Sequence, residues 1–488
     1  MALCLFTMVD NTIAFWLNHG RDITNRRYAD DEVLISPKTV SRMKLKWKFF
    51  AGKDISATPA VDNGVVYFPS WNGYLYAVNA INGGLIWKQN LSALTGLNGT
   101  GIVVNVTVSR STPTVVYGLL IIGIYGPAVV IAMDRSNGKL VWSTQLDPRP
   151  RVLITMSGTA YQGEFYVGVS SLEEALPANQ CCTFRGSLAK LDVLTGKVLW
   201  RTYMLPDNGG KLGGYSGAAI WGSSPSIDIN RRHVYVATGN LYTAPAEVIE
   251  CQERQNNQTT KPSQPDQCIG PGPNLDADFG EAPMLLSIVA NGTRRDVVVA
   301  VQKSGFAWAL NRDDGSIVWF KLAGPGGEEG GGQWGAATDG RRVYTNIANS
   351  NRESFTLKPS NRTTTAGGWV AMNANSGDIL WSTANPSNDT AQAPVTVANG
   401  VVFAGSVASN GPIYAMDADN GKILWSYNTG ATVYGGASVN NGCITLGMDI
   451  QLAWQSFTLL GLTELHSILC CVRERDSSLI LPWQELSS

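Results

Sequence analysis

Two adjacent thiols, Cys181 and Cys182, stand out among the 8 cysteines of this 488-residue chain. Neighbouring cysteines can close a strained eight-membered disulfide ring, a rigid lid suited to a planar ligand. Acidic and amide side chains lie on both sides of them: Glu173 and Glu174 in VGVSSLEE, Asn240 in VATGN, Asp276 and Asp278 in NLDADFGEAPMLL. Carboxylate and amide oxygens suit a hard cation such as calcium, and a carboxylate can also accept a proton. Two cations, Arg110 in VSRSTP and Lys303 in VQKSGFAWAL, are isolated in sequence, and such residues are ordinarily solvated surface charges. Other chemistries are poorly provided for. The 3 histidines, His19, His233 and His466, do not make a three-His zinc set and leave a Ser-His-Asp triad little to draw on. The glycine-rich run GPGGEEGGGQWG, Gly324 to Gly335, has no Lys and no following helix, so it reads as a flexible top-face loop rather than a phosphate cradle. No C-x-x-C-H occurs, which excludes a covalent haem domain in this chain.

The elements that must position these residues are repeats. Six segments align without gaps: YAVNAINGGLIW, IAMDRSNGKLVW, AKLDVLTGKVLW, WALNRDDGSIVW, VAMNANSGDILW and YAMDADNGKILW. Each has Asp or Asn, then Gly four residues on, then Trp eight residues on. The Asp/Asn positions are Asn79, Asp134, Asp192, Asn311, Asn373 and Asp417. The tryptophans are Trp87, Trp142, Trp200, Trp319, Trp381 and Trp425. The pattern reads as strand, turn, strand. Asp/Asn bonds its own backbone, Gly takes positive φ, and the second strand carries the Trp. Runs between the copies, such as TPAVDNGVVYF, read as two further strands. Four strands per repeat make one propeller blade, and Trp supplies the flat area that packs blade on blade. A seventh tryptophan, Trp47, precedes the first copy, and the interval from Trp200 to Trp319 is 119 residues, about two periods with one motif absent. The expectation is an all-β, eight-bladed-type propeller over 16–448 with one blade incomplete. It is flanked by a non-propeller segment 1–15 and a divergent, aberrant C-terminal tail 449–488.

Composition sets the remaining bounds. Apolar residues at 44% and charged residues at 15% provide a large core. Lys+Arg of 37 against Asp+Glu of 38 gives no footprint for nucleic acid or an acidic membrane surface. No run of 18 apolar residues exists, so no spanning helix is expected. MALCLFTMVD lacks a basic start and is not read as a signal peptide. Seven N-x-[ST] sequons, at Asn90, Asn98, Asn105, Asn257, Asn291, Asn361 and Asn388, would make a glycoprotein. With Cys251 and Cys268 flanking a polar segment they could staple, these favour an oxidising, secreted or extracellular (cell-wall) location.

The A-x-[DN]-x3-G-x3-W repeat resembles the tryptophan-docking motif of quinoprotein alcohol dehydrogenases. CCTFRGSLAKLD and NLDADFGEAPMLL are similar to the polyvinyl-alcohol dehydrogenase-like subgroup. The resemblance runs from about Trp16 to about Gly447 and implies PQQ and Ca²⁺ on the propeller axis. It implies a Cys181–Cys182 ring on one face of the quinone and Trp221, in AAIWGSSPSI, on the other. It also implies Arg110 and Lys303 as cofactor-contacting cations, and Ser157, Gln333 and Trp334 as lining residues. Glu173, with Glu174 as neighbouring alternative, Asn240 and Asp278 are the implied metal ligands. Asp278, with Asp276 as neighbouring alternative, is the implied base that accepts the hydroxyl proton. Gly280 stands where lanthanide-type relatives carry a second Asp, which favours calcium. The implied activity, where the chain is active, is PQQ-dependent oxidation of alcohol groups in secondary alcohols or polyvinyl-alcohol-like polymers, with electrons leaving to a separate acceptor.

Three departures favour an alternative reading, a non-catalytic extracellular propeller that binds a polymer or protein. The motif missing between Trp200 and Trp319 is replaced by CQERQNNQTTKPSQPDQCIGPGP, a shortening that could displace Asp278 from the axis. The residues after Met448 lose propeller alternation where a closing strand is expected. No signal peptide precedes the first blade.

Overall fold

The computed structural model describes residues 15–99, 104–177, 179–222, 224–256, 278–327, 329–448 and 468–473. Asp276, Cys268, Asn257, residues 1–14 and most of 449–488 lie outside them.

The described chain is a ring of antiparallel sheets. Six are four-stranded blades, built from 60–90, 114–147, 159–203, 284–322 and 337–384, and from Lys44–Phe50 with Ser438–Asn440, Cys443–Leu446 and Ile468–Arg473. A seventh sheet, 396–428, is extended to five strands by Tyr28–Ala29, which pairs parallel to Thr396–Ala398. Between the 159–203 and 284–322 blades the described residues form two two-stranded ladders, Ser226–Asp228 with His233–Tyr235 and Ser216–Gly217 with Leu241–Thr243. The expectation of eight blades is therefore corrected to six four-stranded blades. The 119-residue interval, read as about two periods with one motif absent, contributes no four-stranded sheet among the described residues. The closing sheet joins both chain ends, with Ile468–Arg473 seated between Lys44–Phe50 and Cys443–Leu446. A strand thus lies inside the segment expected to lack one. ILCCVR is a short apolar run, which period-2 alternation does not reveal.

Local chemistry explains the blades. In every copy the Asp or Asn carboxamide or carboxylate oxygen accepts a backbone N–H two residues on, as in Asp134 with Ser136 and Asp417 with Asp419, both 2.8 Å. The following glycines sit at positive φ, for example Gly138 at 71° and Gly421 at 71°. A β-bulge falls immediately before each Trp, for example between Leu140 and Trp142, and re-aims the indole toward the next blade. There the indole N–H donates to the carbonyl one residue past the next Asp/Asn: Trp47 to Ala80, Trp87 to Arg135, Trp142 to Val193, Trp319 to Ala374 and Trp381 to Ala418, at 2.8–3.0 Å. Trp425 donates to Met43 at 3.2 Å and so links the 396–428 sheet to the closing sheet. The ring covers the glycine, and a Cβ on Gly421 would stand 2.4 Å from Trp381. Trp200 is the exception. It is 37% exposed, whereas Trp142, Trp319 and Trp381 are at most 8% exposed, because among the described residues no Asp/Asn-x-x-x-Gly turn of a next blade lies under it.

The chain start is a plug across the ring. Backbone bonds join Trp16 to Val61, Leu17 to Val115, Ile23 to Ile227, Thr24 to Leu285, Arg26 to Thr338 and Arg27 to Val397, each on the inner strand of a different sheet. Trp16 is fully buried.

Candidate functional site

Asp278 is 5% exposed. Its Oδ2 accepts from the Trp221 indole N–H at 2.8 Å and lies 3.3 Å from Lys303 Nζ. Its Oδ1 accepts the Asn240 backbone N–H at 2.5 Å. Its own carbonyl accepts the Lys303 N–H at 2.8 Å. Gly239 leaves room for this carboxylate, since a Cβ there would stand 3.1 Å from Oδ1. The shortened segment thus leaves Asp278 in contact with Trp221, Lys303 and Asn240.

Asn240 continues the cluster. Its Nδ2 donates to Glu174 Oε1 at 2.8 Å, and its Oδ1 is buried without a hydrogen-bond partner. Glu173 points elsewhere. Its Oε2 accepts the backbone N–H groups of Thr183 at 2.7 Å and Phe184 at 2.9 Å, and its Oε1 lies 3.9 Å from Arg149. The single helical turn Glu173–Ala175 sets the two carboxylates in different directions. Cys181 and Cys182 are disulfide-bonded, and the Cys182 sulfur lies 3.4 Å from the Glu173 carbonyl. Cys251 is also disulfide-bonded. Among the described residues no group of three or more His, Cys, Asp or Glu is placed to hold a metal, so a cation here would draw on the Asn240 amide oxygen as well as carboxylates.

Two indoles form the other side. Trp221 and Trp334 meet edge to face, with centroids 5.0 Å apart. Lys303 Nζ stands 5.0 Å from the Trp221 ring centre, and the Arg110 guanidinium 4.2 Å from that of Trp334. Cations on ring faces are held by the aromatic quadrupole. Trp334 Nε1 donates to the Tyr434 hydroxyl at 3.0 Å. Ser157 lines a small cavity beside Arg110, Trp334 and Tyr434, and its hydroxyl accepts the Thr112 N–H at 2.9 Å. Gln333 is buried, and its N–H donates to Asn346 Oδ1 at 3.0 Å. The glycine-rich loop read as flexible folds back tightly: a Cβ on Gly331 would stand 2.3 Å from the Gln302 carbonyl. This brings Gln333 and Trp334 beside Gly280, whose carbonyl accepts the Trp334 N–H at 2.7 Å.

Sequence reasoning missed three buried ionisable groups. His19 Nε2–H donates to the Trp334 carbonyl at 2.8 Å. Burial first, and then the nearby Arg27 charge, lower its pKa to about 3. Burial also lowers the pKa of Arg27 to about 9. Glu281 is fully buried, accepts from Thr345 Oγ1 at 3.0 Å, and has an unpartnered Oε2. Burial pushes its pKa well above the usual range. His19 and Arg27 had no sequence signal, because the plug carries no repeat. Glu281 had one, an acid between DFG and the apolar APMLL.

A family model described as outer membrane protein assembly factor BamB (PQQ_2) matches residues 36–321 and 303–442. The polyvinylalcohol dehydrogenase of a Pseudomonas sp is 32% identical over 463 residues, which is 86% of this chain and 68% of that protein. That of Sphingopyxis sp. (strain 113P3) is 29% identical, over 83% of this chain and 66% of that protein. The chain spans 46% of the quinohemoprotein alcohol dehydrogenase ADH IIB of Pseudomonas putida, at 25% identity. The solved quinohemoprotein alcohol dehydrogenase of Comamonas testosteroni superposes with a TM-score of 0.72 at 18% identity, covering 97% of this chain and 83% of that one. At that identity the superposition speaks for the fold alone.

Proposed function

We infer the function from one premise: the chain belongs to the polyvinylalcohol dehydrogenase family of PQQ-alcohol-dehydrogenase-like propellers. We propose that it is an oxidoreductase that removes two electrons and two protons from an alcohol group, of a secondary alcohol or a hydroxylated polymer, and passes the electrons to a separate acceptor. The observation that carries this reading is the buried Asp278 carboxylate, gripped by Trp221, Asn240 and Lys303.

The residues fit the group that such a reaction needs. The unpartnered Asn240 Oδ1 is an oxygen without its electrostatic complement, and an orphaned buried acceptor is costly unless something fills the role. Asn240, Asp278 and a carboxylate of the Glu173–Glu174 pair would hold calcium. Arg110 and Lys303 would neutralise the carboxylates and quinone oxygens of PQQ, and Trp221, the disulfide ring, Ser157, Gln333 and Trp334 would surround it. When bound, PQQ supplies the two-electron acceptor and calcium polarises its reactive carbonyl. The chain's own part is positional and protonic. Three groups, the Trp221 indole N–H, the Asn240 backbone N–H and the Lys303 ammonium, hold the Asp278 carboxylate in place. One of its oxygens then receives the hydroxyl proton, while the indole and lysine fix its plane. The two disulfides favour an oxidising, extracytoplasmic setting for this chemistry.

The test is reconstitution of the purified chain with PQQ and Ca²⁺, followed by absorbance titration and dye reduction with secondary alcohols and polyvinyl alcohol. Stoichiometric uptake with turnover is expected. Asp278→Asn should keep uptake within a few-fold and lose roughly 100-fold or more of the turnover, the scale of a removed general base. Folded protein without PQQ uptake would overturn the reading in favour of a propeller that only binds.

A further inference from the structure

We propose that His19, on the chain-start plug, is a positioning residue for the cofactor site: its Nε2–H bond to the Trp334 carbonyl holds that peptide in the conformation that sets the Trp334 indole against Trp221 and beside the Arg110 guanidinium. This rests on the enzymatic reading above, in which Trp221, Trp334 and Arg110 surround PQQ. His19 touches none of the reacting groups and acts through Trp334.

Trp334 has a φ of 66°, in the left-handed region that a bulky residue rarely adopts. Such a residue persists only where its surroundings over-determine it. Here both of its backbone polar groups are claimed. The N–H donates to the Gly280 carbonyl at 2.7 Å, and the carbonyl accepts from His19 Nε2 at 2.8 Å. The next residue tightens the same turn, since the Gly335 N–H donates back to the Gln333 carbonyl at 2.8 Å. A fixed peptide fixes the direction of its side chain. The indole then meets Trp221 with centroids 5.0 Å apart, donates to the Tyr434 hydroxyl at 3.0 Å, and presents its face to Arg110 at 4.2 Å. Among the described residues the Arg110 side chain has no ion pair and no hydrogen bond, so the ring face is what places this cation.

His19 is itself held in a closed circuit. Arg27 Nη1 donates to the His19 carbonyl at 2.6 Å and Arg27 Nε to the Val395 carbonyl at 2.8 Å. The Val395 N–H donates in turn to the carbonyl of Gly335, the neighbour of Trp334, at 3.0 Å. The close approach depends on glycine, because a Cβ on Gly335 would stand 3.2 Å from His19 Nε2 and 3.0 Å from Arg27 Cδ. A residue that only filled space in the plug would need no donor. Removing the imidazole N–H would leave the Trp334 carbonyl short of its partner, a loss that an apolar side chain of similar volume does not repair.

The test labels the full chain with fluorotryptophan and follows the Trp334 fluorine resonance, assigned by its loss in Trp334→Phe, in protein without PQQ. The same proteins are then titrated with PQQ in the presence of Ca²⁺. His19→Leu, which fills the volume without a donor, should shift or broaden the Trp334 resonance. It should also raise the Kd for PQQ roughly tenfold, the worth of one buried hydrogen bond, and leave turnover at saturating PQQ within a few-fold of the parent. His19→Gln restores a donor and should return both readings toward the parent. Gly335→Ala keeps the imidazole but presses on it, so it should move both readings in the direction of His19→Leu, and it carries the test where His19→Leu does not fold. Trp381→Phe, a destabilising change on an outer strand, should move neither. An unmoved Trp334 resonance, an unmoved Kd, or a Gln variant no better than the Leu variant would each overturn the proposal. A parent that takes up no PQQ would instead overturn the enzymatic reading, and the cofactor role of His19 with it.

Discussion

His19 makes the stability of this protein depend on pH, with a sign and size that the structure fixes. The imidazole is buried beneath the site, donates to the Trp334 carbonyl, and faces the Arg27 guanidinium at 3.5 Å. Its pKa falls from 6.5 to about 3, chiefly by burial and then by Arg27. In the unfolded chain it takes up a proton as pH drops through 6.5, while the folded protein holds it neutral until about 3. Between those values the unfolded state binds more protons, so stability is complete above 6.5 and is lost as pH falls. At roughly 1.4 kcal/mol per pH unit, the cost reaches about 2 kcal/mol at pH 5 and about 5 kcal/mol at pH 3. The perturbation is His19→Gln, which keeps a donor for the Trp334 carbonyl and cannot titrate. Urea unfolding of both proteins at pH 7.5, 6 and 5 gives the difference directly. The variant should gain about 2 kcal/mol on the parent between pH 7.5 and 5. Glu281 also titrates, but it is common to both proteins and drops out of the difference. Parallel stability curves over that range would refute the reasoning, because they would mean that the native imidazole is as free to protonate as the unfolded one.

Glu281 should behave with the opposite sign. Its raised pKa gives stability that is present below about 4.5, the unfolded value, and lost as pH rises; Glu281→Gln should therefore raise the melting temperature by an amount that grows as pH rises above 5. Trp381→Ala, at 1% exposure and with a docked N–H, should cost about 3–5 kcal/mol, whereas Trp200→Ala should cost no more than about 1–2 kcal/mol. Equal losses in chemical denaturation would refute the docking account. In cofactor-free protein, Ca²⁺ should raise the melting temperature, and Asn240→Ala should remove most of that rise by taking away the unpartnered oxygen. An unchanged rise would place the cation elsewhere.

The blades were legible because their information is local. Asp134, Gly138 and Trp142 each do one job at a spacing set by a single turn, and the structure forms that turn and the bulge before the Trp alike in all six copies, with Trp200 alone left undocked. The gap was legible only as an absent motif; that the described residues there pair as two-stranded ladders depends on pairing across the ring, which spacing does not report. The site divides in the same way. Asp278, Trp221 and Lys303 sit in recognisable segments and meet. The division of labour between Glu173 and Glu174 was not legible, since adjacent residues on a short helical turn diverge, and only the fold shows that the Thr183 and Phe184 amides claim Glu173. His19 and Arg27 left no trace because their partners lie hundreds of residues away, in Trp334 and Val395.

The plug also explains how Asp278 is held in place beside the two-stranded ladder of 226–235. The docking of indoles on turns joins the outer parts of neighbouring sheets, and the inner wall does not pass through them. Ile23 bonds to Ile227 on the two-stranded ladder and Thr24 to Leu285 on the next blade, while Asn25 Nδ2 donates to both the Ser224 carbonyl at 2.8 Å and the Pro283 carbonyl at 3.2 Å. Ser224 and Pro283 flank that ladder in sequence, so one buried asparagine ties its two sides together at the axis. Trp221 enters the site three residues before Ser224, and Asp278 five residues before Pro283. The Trp221–Asp278 bond is thus held from the inner side, by contacts of the chain start. Asn25→Ala should accordingly disturb Asp278 chemistry more than a substitution on the outer strand of that ladder, such as His233→Ala, and a comparison of dye-reduction rates in the two variants tests that ordering.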